Sequence, residues 1–126
     1  DSFKIRSPHD AVQLVTDLIG DEDREVFLVL ALNSKNMINA IHRCHVGSIN
    51  ASIVHPREVF KSCILNNATS LIVAHNHPSG DPTPSREDIE VTKRLMEAGN
   101  ILGIELLDHL VVGGTKFKSL KEQGYI

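Results

Sequence analysis

The run VFLVLAL, residues 26–32, restricts what this chain can fold into more than any other stretch. A strand with one face in water alternates apolar and polar residues, whereas an unbroken apolar strand must be covered on both faces. The run is also well short of the roughly 20 apolar residues that cross a bilayer, so it predicts an inner strand of a layered domain. A second short, β-rich run is SLIVAHNH, residues 70–77. Around these strands the period changes to that of helices. SPHDAVQLVTDLIG offers Ser7 as N-cap, Pro8 at the first helical position, Ala11, Leu14, Val15 and Leu18 at helical spacing, and Gly20 as a stop. After the turn NSKN, MINAIHRCHVG reads as a return strand that pairs with the first run in a hairpin. Pro56 opens PREVFKSCILNN, where Val59, Phe60, Cys63 and Ile64 share a helix face. The segment from Ser85 to Gly103 predicts the longest helix, IELLDHLVVGG a strand, and KFKSLKEQGYI a short strand with a final helical turn. Strands alternating with helices, plus one hairpin, predict an α/β fold: a three-layer α-β-α sandwich with a mixed sheet, formed by residues 1–126 as one domain.

Composition excludes several classes of function. The formal charge of −3 gives no general attraction to a phosphate backbone, so charge does not support DNA contact. Cys44 and Cys63 form no CxxC pair, which removes a thiolate zinc site and a disulfide scaffold and predicts two reduced, packed thiols. No membrane span and no secretory leader is legible, and the expected location is cytoplasmic. The chain begins at Asp1, as expected of a domain cut from a longer protein.

Chemistry concentrates in AHNHPSGDPTPSREDIEV, residues 74–91. Side chains alternate along a strand, so His75 and His77 point the same way, about 6–7 Å apart along the backbone, and both imidazoles can reach one ion. They lie at the C-terminal end of a strand, where α/β sheets place ligands. A His-x-His pair arises by chance roughly 0.4 times in a chain with 7 His among 126 residues, so the pair alone carries little. Asp88 is the third candidate. It ends SRED and closes a capping box with Ser85, yet it also continues the helix stripe of Val91, Leu95, Ala98 and Leu102. A carboxylate aimed inward needs a partner, since burying it alone is costly. Gly80 allows an unusual backbone angle and Pro78, Pro82 and Pro84 fix φ, so the loop is a rigid path that places Asp88 in advance. Two His and one carboxylate with a position left for water suit a catalytic zinc, and equally a non-haem Fe(II).

HNHPSGDPTPSRED fits His-x-His-x7-Ser-x2-Asp and resembles the JAMM (MPN+) metalloprotease motif; requiring Ser and Asp at fixed places lowers the chance to about 0.002. IVHPREVFKSCILNNATSLIVAHNHPSGDPTPS, LLDHLVVGG and the ending GYI are similar to the RadC family of DNA-repair-associated proteins, over nearly the whole chain. The resemblance implies a JAMM and cytidine-deaminase-like fold with Zn2+ held by His75, His77 and Asp88. It further implies that Ser85 stabilises an oxyanion and that a Glu opening a buried strand is the general base. REVFLVLAL makes that residue Glu25, with Glu58, Glu87 and Asp108 as rivals. The family's N-terminal helical region, a possible DNA-binding part, is absent.

The implied reaction is zinc-dependent hydrolysis of amide or isopeptide bonds in a peptide or protein substrate. The alternative is a non-catalytic protein-interaction or DNA-repair accessory module with a bound metal. An HNH nuclease is disfavoured because that label describes residues dispersed over a ββα unit, and a deaminase because His-x-Glu and Pro-Cys-x-x-Cys are missing. His42 and His45 are expected half-exposed on the hairpin, and His55 as the residue entering a helix. Asp108 and His109 are expected to be a packed structural pair, with a hydrogen bond behind a ligand histidine as the other reading. The open edge of MINAIHRCHVG is a conceivable place for a substrate strand.

Overall fold

The structure is a computed structural model and describes residues 4–126. Its elements run α1 (Pro8–Ile19), β1 (Val26–Leu32), β2 (Ile38–Val46), α2 (Pro56–Leu65), β3 (Ser70–Asn76), α3 (Arg86–Leu102), β4 (Glu105–Gly113) and β5 (Lys116–Ser119). The sheet order is β2-β1-β3-β4-β5. β1 pairs antiparallel with β2 and with β3, β3 runs parallel to β4, and β4 and β5 form an antiparallel pair. The sheet is therefore mixed, as the hairpin and the helical crossover required.

Every residue of β1 is buried, because the strand lies inside the sheet with helices over both faces. Phe27, Val29 and Ala31 join Val59, Phe60 and Leu95 of α2 and α3 in one core. Leu28, Leu30 and Leu32 join Ala11, Val15 and Ile19 of α1 in the other. Alternation sends successive β1 side chains into different layers. Full burial of such a side chain contributes roughly 1.5–3 kcal/mol, so the scaffold is held by its two cores. β2 lies at the sheet edge and alternates half-buried with exposed residues over most of its length, with His42 and His45 half-buried as expected.

Three side chains depart from the expected faces. Ile64 is 56% exposed, since Val59, Phe60 and Cys63 define the buried side of α2 and Ile64 lies round its far shoulder, close to the helix end. Leu18 is exposed and Ile19 takes its place in the core, following Ala11 and Val15 at four-residue steps. Leu102 is 48% exposed because α3 has run past the sheet, and Gly99 makes the last close contact there. Both cysteines are free, and burial pushes their thiols up to about 11, with Glu58 adding to the effect at Cys44. Among the described residues no helix is long and apolar enough to cross a membrane.

Candidate metal centre

His75 is the next-to-last residue of β3, fully buried, and in register with Phe27 on β1 and Val111 on β4. His77 lies just past the strand but keeps its path: its N–H donates to the Val112 carbonyl at 2.8 Å. The side chain is fixed at its other end, with Nδ1 donating to the Asp81 carbonyl at 2.8 Å. Gly80 turns the loop at φ +91, a region costly for residues with a Cβ. Asp81 Oδ1 accepts from the N–H and hydroxyl of Thr83 at 3.0 and 2.7 Å and closes the turn on itself. The path delivers Ser85 as N-cap of α3. Its Oγ accepts from Asp88 N at 3.0 Å, while Asp88 Oδ2 accepts from Ser85 N at 2.8 Å. The capping box and the inward carboxylate are thus one feature: the helix start holds Asp88 in a single orientation.

Four side chains converge. Ligand-type atoms of Glu25, His75, His77 and Asp88 all lie within 4.8 Å of one another. His75 Nε2 is 3.0 Å from Asp88 Oδ1, His77 Nε2 is 3.0 Å from Asp88 Oδ2, and the two Nε2 atoms are 3.0 Å apart. Glu25 stands behind this triangle, Oε1 3.9 Å from His75 Nε2. A tetrahedral zinc with N and O ligands at about 2.0–2.1 Å separates its ligand atoms by about 3.3 Å, close to the triangle seen. Because His77 Nδ1 carries a proton toward Asp81, neutral His77 turns a lone pair inward at Nε2. The two Nε2 atoms and the two Asp88 oxygens converge at 3.0 Å contacts, an arrangement that a cation between them would satisfy. The donor set fits a divalent metal.

The local electrostatics record the same demand for positive charge. Burial raises the Asp88 carboxyl, but hydrogen bonds with His75 and His77 outweigh it and hold the group far below the ordinary carboxylate range. The bond to Asp88 raises the pKa of His77 against the effect of burial, with the Asp81 carbonyl and Glu25 helping. Behind the cluster, His109 is fully buried, and burial followed by the charge at His75 depresses its pKa well below the usual histidine range.

Three further residues surround the site, of which the sequence had marked His109 alone. His109 Nε2 lies 2.8 Å from His75 Nδ1, the hydrogen bond behind a candidate ligand histidine that was its second reading, and the first reading, a structural pair with Asp108, is corrected. Strand alternation separates the two: Asp108 faces the other way and accepts from Ser119 Oγ at 2.5 Å and Lys121 N at 3.1 Å, pinning β5 and the last turn. Thr92, one turn beyond Asp88 on α3, has its hydroxyl 2.6 Å from His109 Nδ1. Asn76, between the two histidines, projects to the opposite face. Its Oδ1 accepts from Val26 N at 2.7 Å and its amide donates to the carbonyls of Glu22 and Arg24 at 3.2 and 3.0 Å, bracketing Glu25. Helical spacing from Asp88 was the only available signal for Thr92; the reach of Asn76 had none. Glu58 and Glu87 are exposed and outside the cluster.

A family model described as a RadC-like JAB domain matches residues 5–125. The chain is similar to a UPF0758 protein of Caldanaerobacter subterraneus subsp. tengcongensis, 56% identical over 125 residues that make up 99% of this chain and 54% of the relative. It is similar as well to UPF0758 protein YsxA of Bacillus subtilis, 58% identical over 124 residues, 98% of this chain and 54% of the relative. The chain thus spans about half the length of the curated relatives it matches.

Proposed function

The chain belongs to the family of RadC-like JAB domains, and from that membership and the convergent cluster we propose that it is a zinc-dependent hydrolase of amide or isopeptide bonds in a peptide or protein substrate. The observation that carries the reading is the convergence of Glu25 with His75, His77 and Asp88, its Oε1 3.9 Å from His75 Nε2 where the other three meet at 3.0 Å. A metal that only braced a fold would be closed by four protein ligands. Here a cleft of about 460 Å³, lined in part by Glu25, Ile49, His77, Ser85 and Glu87, opens on the cluster. The two hydrophobic cores hold the sheet independently of the cluster, which disfavours a purely structural ion.

His75, His77 and Asp88 would hold the ion. When bound, zinc acidifies a water molecule from pKa 15.7 toward about 7 and polarises a carbonyl. Glu25, half-buried at the head of β1 and held by the Asn76 clamp, takes the proton of the attacking water and returns it to the leaving amine. Ser85 Oγ uses a lone pair to accept from Asp88 N, which leaves its own hydroxyl proton free to donate to the developing oxyanion. The cleft orients the chain to be cut. Charge gives the domain no grip on DNA, so its substrate is sought among peptides and proteins.

The test has two stages. Metal analysis of the purified protein should find zinc near one equivalent, and a peptide library should be cleaved in a chelator-sensitive way. Glu25→Gln should keep the metal and lose turnover by about 10²- to 10⁴-fold; a variant with unchanged turnover would exclude Glu25 as the base.

A further inference from the structure

Behind the three proposed ligands runs a chain of hydrogen bonds whose direction is fixed by an atom that can only accept. Thr92 Oγ1 lies 2.7 Å from the backbone carbonyl of Asp88. A carbonyl has no proton to give, so the single hydroxyl proton of Thr92 is committed to it. Thr92 Oγ1 also lies 2.6 Å from His109 Nδ1, and with its proton spent it can only accept there. His109 Nδ1 therefore carries a proton. His109 is fully buried and its ring bonds to His75 and Thr92 with no carboxylate partner, so a second proton on the ring would place an uncompensated charge in the core. Its Nε2 is then a lone pair, 2.8 Å from His75 Nδ1. His75 must donate across that contact from Nδ1, which leaves Nε2 as the nitrogen that faces Asp88 and His77.

We propose that Thr92 and His109 are positioning residues that hold the proton of the shared contact on His75 Nδ1, so that Nε2 is the nitrogen offered to a metal. The relay rests on the metal-site reading above, but not on hydrolysis. It closes a ring through three elements: from His75 on β3 to His109 on β4, to Thr92 on α3, to the Asp88 carbonyl, and from the Asp88 carboxylate back to His75. The same contacts set the ring plane of His75, since both of its nitrogens are held, and they tie the start of α3 to the sheet at the point where Asp88 must sit. A buried helical threonine is ordinarily a packing residue, and here its hydroxyl sets, through His109, which nitrogen of a histidine on the adjacent strand carries the shared proton.

The experiment uses zinc alone as probe, with the purified chain, and measures histidine tautomers by long-range ¹H–¹⁵N NMR on the metal-free protein and zinc affinity by competition with a chromophoric chelator. In the unsubstituted protein His75 should show a protonated Nδ1; an unprotonated Nδ1 overturns the relay. Thr92→Val keeps the shape and removes the hydroxyl. It frees His109 Nδ1 from its acceptor, should allow the His109 and His75 protons to move to the Nε2 positions, and should weaken zinc binding about 10- to 100-fold. Thr92→Ser restores the hydroxyl without the methyl and should bring affinity back to within a few-fold of the original. A packing role ranks the variants the other way, with Val at least as good as Thr and Ser worst, and that order would refute the proposal. Zinc binding without any hydrolysis would defeat the functional reading and leave the relay standing, because neither readout involves turnover.

Discussion

Asp88→Asn separates the cap from the charge of the aspartate: Oδ2 caps Ser85 N and faces His77, while Oδ1 faces His75. In the metal-free protein, the Asn carbonyl oxygen can still accept from Ser85 N, now at 2.8 Å from Asp88 Oδ2, and its amide, in the place of Oδ1, faces His75 Nε2. What is lost is the charge on the acceptor. Bonds to charged groups contribute roughly 1.5–3 kcal/mol against about 0.5–1.5 for neutral ones, so the apoprotein should lose about 1 kcal/mol. The metal-linked term is larger. A ligand at 100 times its Kd stabilises the folded state by about 2.7 kcal/mol. Removing an anionic ligand should cost at least the 100-fold at the upper end of losses from supporting residues. At the same zinc concentration the variant then gains only about 0.4 kcal/mol. For a chain of this size each kcal/mol moves Tm by roughly 3–5 °C. Zinc should therefore raise the melting temperature of the unsubstituted protein by roughly 8–13 °C and that of the variant by about 2 °C or less. Circular dichroism melts of chelator-treated protein, with and without added zinc, read both quantities. An undiminished zinc shift in the variant would show that Asp88 is not a ligand, and an apoprotein loss as large as the whole zinc effect would reduce it to a helix cap.

Chelation should remove activity while leaving far-UV circular dichroism unchanged, because the cores on both faces of the sheet exclude the cluster; global unfolding on chelation would contradict this. Gly113→Ala should destabilise by roughly 1–3 kcal/mol and weaken zinc binding, since a Cβ there would sit 2.9 Å from the Gly80 backbone and push the loop that carries Asp81 and Asp88; equal Tm and equal affinity would show that the loop does not rest on β4. Burial raises the Asp108 carboxyl, against its bonds to Ser119 and Lys121, so its stabilising contribution is full below the ordinary carboxylate pKa and declines as pH rises through the raised value. The stability of the native protein relative to Asp108→Asn should accordingly fall as pH rises from the ordinary carboxylate range in urea titrations, and a pH-independent difference would refute the sign.

Much of this was legible because the informative residues obey local rules. VFLVLAL had to be covered on both faces, and it is. The capping box of Ser85 and Asp88 is a spacing of three, and the pairing of His75 with His77 is a spacing of two. The helix faces were read less well near their ends. Ile64, Leu18 and Leu102 fit an ideal wheel, but whether a terminal turn meets the core depends on where the sheet stops, which periodicity does not encode. The assignment of Glu25 came from family resemblance alone, as a Glu after DEDR reads locally as a solvated charge. His109 was read correctly only in its second reading, behind a candidate ligand histidine, and the pair with Asp108 was preferred for a related reason. It adjoins Asp108 in sequence, but successive strand residues face opposite layers, so adjacency argued for a pair that the pleat forbids.

The location of Glu25 follows from strand direction. β1 and β3 are antiparallel, with Phe27 opposite His75, so the beginning of β1 necessarily meets the end of β3 although 50 residues separate Glu25 from His75. α3 returns to run β4 parallel to β3, which places the start of the helix at that same end of the sheet. The proposed ligand histidines, carboxylate and base therefore come from three elements whose termini coincide by topology, and each element is locked elsewhere by a buried face. Such a site needs little rearrangement to bind an ion or to hold a base near it. The small adjustments that remain fall to polar side chains: Asn76 for the base, Ser85 for the acid, and Thr92 with His109 for the imidazole. Substitution of any of these should leave the sheet intact and alter chemistry or affinity, whereas loss of Phe27 or Phe60, both essentially buried, should cost about 3–5 kcal/mol and take the whole arrangement with it.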